Sequence, residues 1–359
     1  MGGGKWSPNT YQTRIKQQRS RGQDSFAYSQ GASEVHPSLN PYGIEVRESR
    51  DSEEHPNSNA IIIALDVSGS MGRVVRAIHS DLPQLFKLLL GHEYIPHPQI
   101  LFAAFAHAAR NQVPLQVGQF ESDNRMDEHL ENMIIGGRLA GGGSPGESAE
   151  HMFYLAARHT SIDCWEKRQK KGYLFIITDE EASGQVVRKE EVNRFIGPGL
   201  KDDVPLDQII TEAAEKYHIF TIIPTGASAN ASVVEFWKSA LGPERVIELD
   251  DPEYVSEVMA LTIGLTERTI TLEEGLQHLQ GGAPQKDETQ ADPKKNLLAK
   301  ARQILQGDDD SAVDYQRPIG PKLAKLRNTL SLIAGQSVQG SKGIGLADDD
   351  DQQPRTRRL

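Results

Sequence analysis

The sequence predicts an α/β fold: a doubly wound, mostly parallel six-stranded sheet with one antiparallel edge strand and helices on both faces. Three observations carry that expectation. Short, uninterrupted apolar runs such as Ala60-Ile61-Ile62-Ile63-Ala64-Leu65 and Tyr173-Leu174-Phe175-Ile176-Ile177 read as strands buried on both faces. Between such runs, apolar residues recur at helical spacing, so strand and helix alternate from residue 60 to residue 268. One junction breaks the alternation. Gln99 to Ala106 and Val113 to Phe120 are only about seven residues apart, too few for a parallel crossover, so they form an antiparallel pair.

Taken in order, residues 1–59 mix Gly, Ser, Gln and Asn with Pro37, Pro41 and Pro56 and show no sustained period. They read as a polar N-terminal extension, partly disordered or draped over the domain, with Tyr28, Val35, Leu39, Tyr42, Ile44 and Val46 as apolar handles. After the strand at 60–65, Arg73 to Leu90 carries Val74, Ile78, Leu82, Leu85, Leu88 and Leu89 on one helical face, and Gly91 ends it. The strand 99–106 follows, and then 113–120, whose alternation suits a half-exposed edge. Asp127 to Ile135 is a short helix. A glycine-rich loop, 136–146, leads to a helix over 147–160 that presents Ala149, Met152, Phe153 and Ala156. The central strand 173–178, the helix 205–217, the strand 218–224, the helix 233–241, the strand 245–249 and the helix 252–265 complete the 60–268 domain. Trp165 and Cys164 read as packing residues beneath the strand at 173. Residues 269–359 read as a low-complexity C-terminal tail with two short amphipathic helices, 296–306 and 321–333, that dock on their own domain or on a partner.

Composition narrows the function classes. The chain has 359 residues and is 37% hydrophobic, enough for a sizeable core. Its net charge of −11 lies wholly within residues 60–269, which hold thirty acids against nineteen bases, so that region repels phosphate backbones. Short basic tracts, Arg14 to Arg21 and Arg355 to Arg358, read as solvated. Cys164 is the single cysteine, which excludes an internal disulfide. No apolar stretch is long enough to span a bilayer, the first thirty residues lack a signal-like apolar segment, and Trp6 occupies the position where a myristoylation motif carries Ser or Thr. A cytoplasmic location is the expectation.

The stretch that points to chemistry is Asp66-Val67-Ser68-Gly69-Ser70 at the end of the first buried run. A carboxylate and two hydroxyls at alternate positions suit a hard cation, and few charges among oxygen-only ligands favour Mg²⁺ over zinc. A second aspartate, Asp179, ends the central strand, so the two acids are expected at neighbouring strand ends, where chain direction across the sheet reverses.

Asp-x-Ser-x-Ser after an apolar strand, with Thr178-Asp179 downstream, resembles the metal-ion-dependent adhesion site (MIDAS) of von Willebrand factor type A (vWA) domains. The resemblance covers about three fifths of the chain in the right order, and implies the Rossmann-like type A fold. It further implies that Ser68 and Ser70 bind Mg²⁺ or Mn²⁺ through hydroxyls while Asp66 and Asp179 orient its waters. The family's third loop, Gly-Gly-Thr, is altered. If Gly141-Gly142-Gly143 overlays it, Gly143 stands at the threonine, and Ser144 is the expected replacement ligand, with Glu147 as a more anionic substitute. The resemblance also implies a binding module that captures an acidic side chain of a protein partner. Bacterial intracellular proteins of this kind often work beside AAA+ ATPases.

Other readings stand beside this one. Asp66, with Ser68 or Ser70, and likewise Asp179, would suit simple helix capping. A metal-assisted hydrolase or phosphatase, with Glu180 or Glu181 as base, is the enzymatic alternative, though no Asp-x-Asp or phosphate-cradling loop accompanies it. A scaffold with a degenerate site is the third. Glu121, Asp123 and Asp127 read as caps before a second cation site, and His79, His92, His97 and His107 as structural or exposed.

Overall fold

Six strands form one sheet: β1 (Asn59–Asp66), β2 (Pro98–Phe105), β3 (Leu115–Val117), β4 (Gly172–Ile177), β5 (Tyr217–Pro224) and β6 (Val246–Leu249). The computed structural model describes residues 4–141, 146–224, 231–279 and 323–335. Across the sheet the order is β6-β5-β4-β1-β2-β3. Every pair is parallel except β2 with β3. Chain order therefore runs outward in opposite directions from the β1/β4 seam, the switch point at which doubly wound sheets place their ligands.

The strand pleat divides the core. Ile61, Ile63 and Leu65 face one apolar layer together with Phe102, Phe175 and Ile177. Ala60, Ile62 and Ala64 face the other, with Leu101, Leu174 and Ile176. The first layer is covered by the helices Gly72–Ser80 and Val255–Thr266, the second by Glu150–Arg158, Leu206–Lys216 and Ala231–Leu241. Cys164 is buried in the second layer and Trp165 packs against it, as expected.

Several elements differ from the sequence reading. The single helix expected over 73–90 is broken into Gly72–Ser80, Leu82–Phe86 and a wider turn, Lys87–Gly91. Pro83 has no N–H to offer the carbonyl of His79 four residues back. That carbonyl accepts instead from the Tyr11 hydroxyl at 2.7 Å. The edge strand expected to be half exposed is buried along its whole length. Gln116 both donates to and accepts from the backbone of Ile134, at 2.9 and 2.8 Å, and the Arg47 guanidinium donates to the Val117 carbonyl at 2.8 Å, closing the edge. Helices at Asp163–Arg168, Lys189–Phe195 and Leu272–Leu279 were not legible as separate periods.

Within the segment read as a polar extension, Pro8–Ser20 is a helix, opened by Ser7 accepting from the Thr10 amide and by proline in its first turn. Its apolar content is too sparse for periodicity to reveal it. What holds it is contact with the domain: Trp6, Tyr11, Phe26 and Leu39 all enter the first apolar layer, each side chain contributing about 1.5–3 kcal/mol by burial. Arg47–Ser49 pairs in parallel with Thr160–Ile162. The tail helix expected over 321–333 is Leu323–Gly335, and it packs on Val255–Thr266 and β6 with Leu330 and Ile333 buried. The helix expected over 296–306 lies outside the described residues.

Candidate metal centre at the carboxyl edge of the sheet

Asp66 is the last residue of β1 and is fully buried. Its neighbour across the seam follows the last residue of β4, because Leu65 is in register with Ile177. Both carboxylate oxygens of Asp66 are used: Oδ1 accepts from the Ser68 amide at 2.8 Å, and Oδ2 from the Thr178 hydroxyl at 2.8 Å. The Ser68 and Ser70 hydroxyls lie 3.2 Å apart. Neither residue caps the following helix with its side chain, so the capping alternative does not describe what Ser68 and Ser70 do.

Asp179 is half-buried beside Thr178, and its Oδ1 is a buried oxygen without a hydrogen-bond partner. Burial, with a smaller push from the Asp179 carboxylate, holds the Asp66 carboxyl up at about 7 against the hydrogen bonds from Ser68 and Thr178. Glu147 arrives from the loop before the helix Glu150–Arg158. That loop is fastened to residues 181–183: the Glu147 amide donates to the Glu181 carbonyl at 3.0 Å, and the Ser183 amide to the Glu147 carbonyl at 2.8 Å. Gly146, at φ +83°, is required there, since a Cβ would lie 3.0 Å from the Ser183 Cα. Burial and then the carboxylates of Asp66, Glu180 and Asp179 push Glu147 up to about 8, and its Oε2 is also orphaned. Glu180 accepts from the Gly146 amide at 3.3 Å, and its carbonyl accepts from the Trp237 indole at 3.0 Å.

Four carboxylates, Asp66, Glu147, Asp179 and Glu180, thus converge with the Ser68 and Ser70 hydroxyls on one edge of the sheet. Among the described residues none of the four is ion-paired with Lys, Arg or His. Two orphaned buried oxygens and mutual repulsion of this kind are what an oxygen-liganded divalent cation relieves, so the donor set fits such an ion.

No protein-family model matches the chain, and no curated protein matches it. Solved structures similar to it include the pilus adhesin SpaC from Lactobacillus rhamnosus GG in its open conformation. That comparison gives 8% identity and a TM-score of 0.39, and covers 61% of this chain and 31% of the adhesin. Another is proximal thread matrix protein 1 from the mussel byssus, described with a zinc-occupied MIDAS motif, at 13% identity, a TM-score of 0.31, and 59% and 46% coverage. The chain therefore spans less than half of either protein. Likenesses of this size establish nothing about what the chain binds.

Of the residues expected at the site, the structure brings Asp66, Ser68, Ser70 and Asp179 together. Ser144 and Gly143 lie outside the described residues. Ser148 is spent elsewhere, accepting from the Ala108 amide at 2.9 Å and meeting the Ser183 hydroxyl at 2.8 Å. Thr178, which ties the two strand ends together, was missed, whereas Glu180 lies beside the site as expected. The adjacency of Thr178 to Asp179 was the available signal. Glu121 and Asp123 are ion-paired with Arg125, and Asp127 with Arg14, which accounts for them without a second cation.

Proposed function

We propose that the chain is a divalent-cation-dependent protein-interaction module of the type A kind, with Mg²⁺ or Mn²⁺ held near Ser68, Ser70, Asp66 and Asp179. The observation that carries this reading is the gathering of four carboxylates at the β1/β4 switch point without a basic partner among the described residues. Ser68 and Ser70 would ligate through their hydroxyls, Asp66 would be held in place by Thr178, and Ser144 or Glu147 would close the third side. A bound ion supplies an electrophilic position that takes an anionic oxygen, and an acidic side chain of a protein partner fits it. On the same reading the setting is intracellular and the assembly includes an AAA+ ATPase; only the sequence resemblance supports that step. We read the module as a binder without turnover.

Calorimetric titration of the chelator-treated full chain with Mg²⁺ and Mn²⁺ tests the cation. One equivalent taken up by the wild type and none by Asp66→Ala is expected, and no uptake by the wild type overturns the proposal. Immobilised peptides bearing Asp or Glu, compared with Asn or Gln counterparts, test the ligand class: retention in Mg²⁺ and release in EDTA is the expected result. Hydrolysis of a phosphate ester that Asp66→Ala abolishes would move the assignment to a metal-assisted hydrolase.

A further inference from the structure

Joined through Ser183 to the cup that Asp66, Glu147, Asp179 and Glu180 form at the ends of β1 and β4 lies a second cluster that the type A reading does not use. Glu150 and His151 open the helix Glu150–Arg158, and Glu191 sits on Lys189–Phe195. One ligand atom from each of the three lies within 4.8 Å of the others. His151 has no exposed surface, and neither ring nitrogen makes a hydrogen bond. Glu150 is 1% exposed; the Ser183 hydroxyl donates to its Oε1 at 2.7 Å, and its Oε2 is orphaned. Glu191 is half-buried and forms the cluster's outer wall.

We propose that Glu150, His151 and Glu191 form a second metal site, for a divalent ion of the zinc class, with a solvent molecule as fourth ligand. One imidazole and two carboxylates make a donor set that suits Zn²⁺ better than Mg²⁺ or Ca²⁺, which prefer oxygen alone. Tetrahedral Zn²⁺ with bonds of about 2.0–2.1 Å places neighbouring donors about 3.4 Å apart, so closure needs inward movement of about 1 Å. Glu191, at the rim, has that freedom. A proton shared among the three is the competing account. His151 Nε2 stands 3.4 Å from Glu191, and Nδ1 3.7 Å from Glu150. Charge-assisted hydrogen bonds close to about 2.7–2.9 Å, so these gaps leave both nitrogens unsatisfied. A buried donor set left this incomplete in an otherwise well-bonded neighbourhood needs an occupant.

Ser183 orients Glu150 and is itself met by Ser148, so its hydroxyl is a positioning group for the site. The inference is independent of the cation proposed for the cup.

The test uses the untagged, chelator-treated full chain and its Asp66→Ala variant, which lacks the first site. Both are titrated with Zn²⁺ and with Co²⁺ as a spectroscopic probe. One equivalent of Zn²⁺ per chain in both proteins is expected, with visible Co²⁺ bands of a four-coordinate nitrogen/oxygen site. Ser183→Ala should weaken uptake about tenfold, as outer-shell losses do, and Glu191→Gln more. His151→Gln should abolish it; should that variant fail to fold, the rim variant Glu191→Gln decides. Absence of Zn²⁺ uptake by Asp66→Ala, or uptake unchanged in a folded Glu191→Gln, overturns the proposal.

Discussion

The helix Arg125–Glu131 and the cup at the ends of β1 and β4 each gather carboxylates in buried surroundings, and they resolve the repulsion in opposite ways. On the helix, Asp127 and Glu131 meet the Arg14 guanidinium at 2.8 and 3.1 Å, and Glu131 also faces His79 at 3.0 Å. Trp6 donates to Asp127 from its indole at 2.7 Å. Despite burial, His79 and Arg14 hold Glu131 below its ordinary range, whereas at Asp127 burial outweighs the help of Asn124, Arg14 and Trp6 and the carboxyl is raised. In the cup, burial and neighbouring acids act together, and both Asp66 and Glu147 are raised. An acidic cluster that carries its own base is a structural joint, here fastening the N-terminal helix. One that lacks a base is open to a cation from outside.

Breaking the joint should have the largest effect. Arg14→Ala leaves Asp127 buried without its cation and should cost about 3 kcal/mol in urea unfolding, the low end for a broken buried pair, because Arg14 is partly exposed. The corresponding neutralisation in the cup, Glu147→Gln, should be neutral or stabilising in EDTA. An equal loss in both variants would erase the contrast.

Dependence on pH sharpens it next. Asp66 and Glu147 have folded pKa values of about 7 and about 8. Both exceed unfolded values of about 4, so the folded chain retains protons that the unfolded chain releases. Metal-free stability should therefore fall as pH rises from about 4 towards 8, and Asp66→Asn should flatten the slope. Glu131 has the opposite sign: its contribution is complete above the unfolded carboxylate range and is lost as pH falls through its lowered folded value. Thermal unfolding in EDTA across this range reads the first limb, and its extension below about pH 4 reads the second.

Smaller effects remain. Thr178→Val removes a donor to the buried Asp66 and should cost about 1–2 kcal/mol, together with weaker Mg²⁺ uptake in calorimetry. Arg125→Ala, an exposed partner of Glu121 and Asp123, should change stability by only about 0.2–1 kcal/mol in the same unfolding assay. A loss as large as that of Arg14→Ala would place the rim of the helix in the same class as its core.

Much of the sheet was readable because a strand buried on both faces writes itself as an unbroken apolar run. The acids that end two such runs, Asp66 and Asp179, are conspicuous for the same reason. The N-terminal helix was not readable, since its stability comes from Trp6, Tyr11 and Arg14 reaching into a domain many residues away and not from its own period. The break at Asp81 was foreshadowed by Pro83, yet the heptad-like run of leucines across it concealed the interruption.

By itself the chain's order of residues determined the six strands of the main sheet to within a few residues, and that a carboxylate waits at two of their ends, because apolar runs and side-chain alternation are local properties. Tertiary structure alone decided that Thr178 ties Asp66 to the neighbouring strand end, that an apparently polar arm is part of the core, and that His151 meets Glu191. Those outcomes depend on loops brought together by packing, and contacts between residues distant in the chain leave no periodic mark in the sequence.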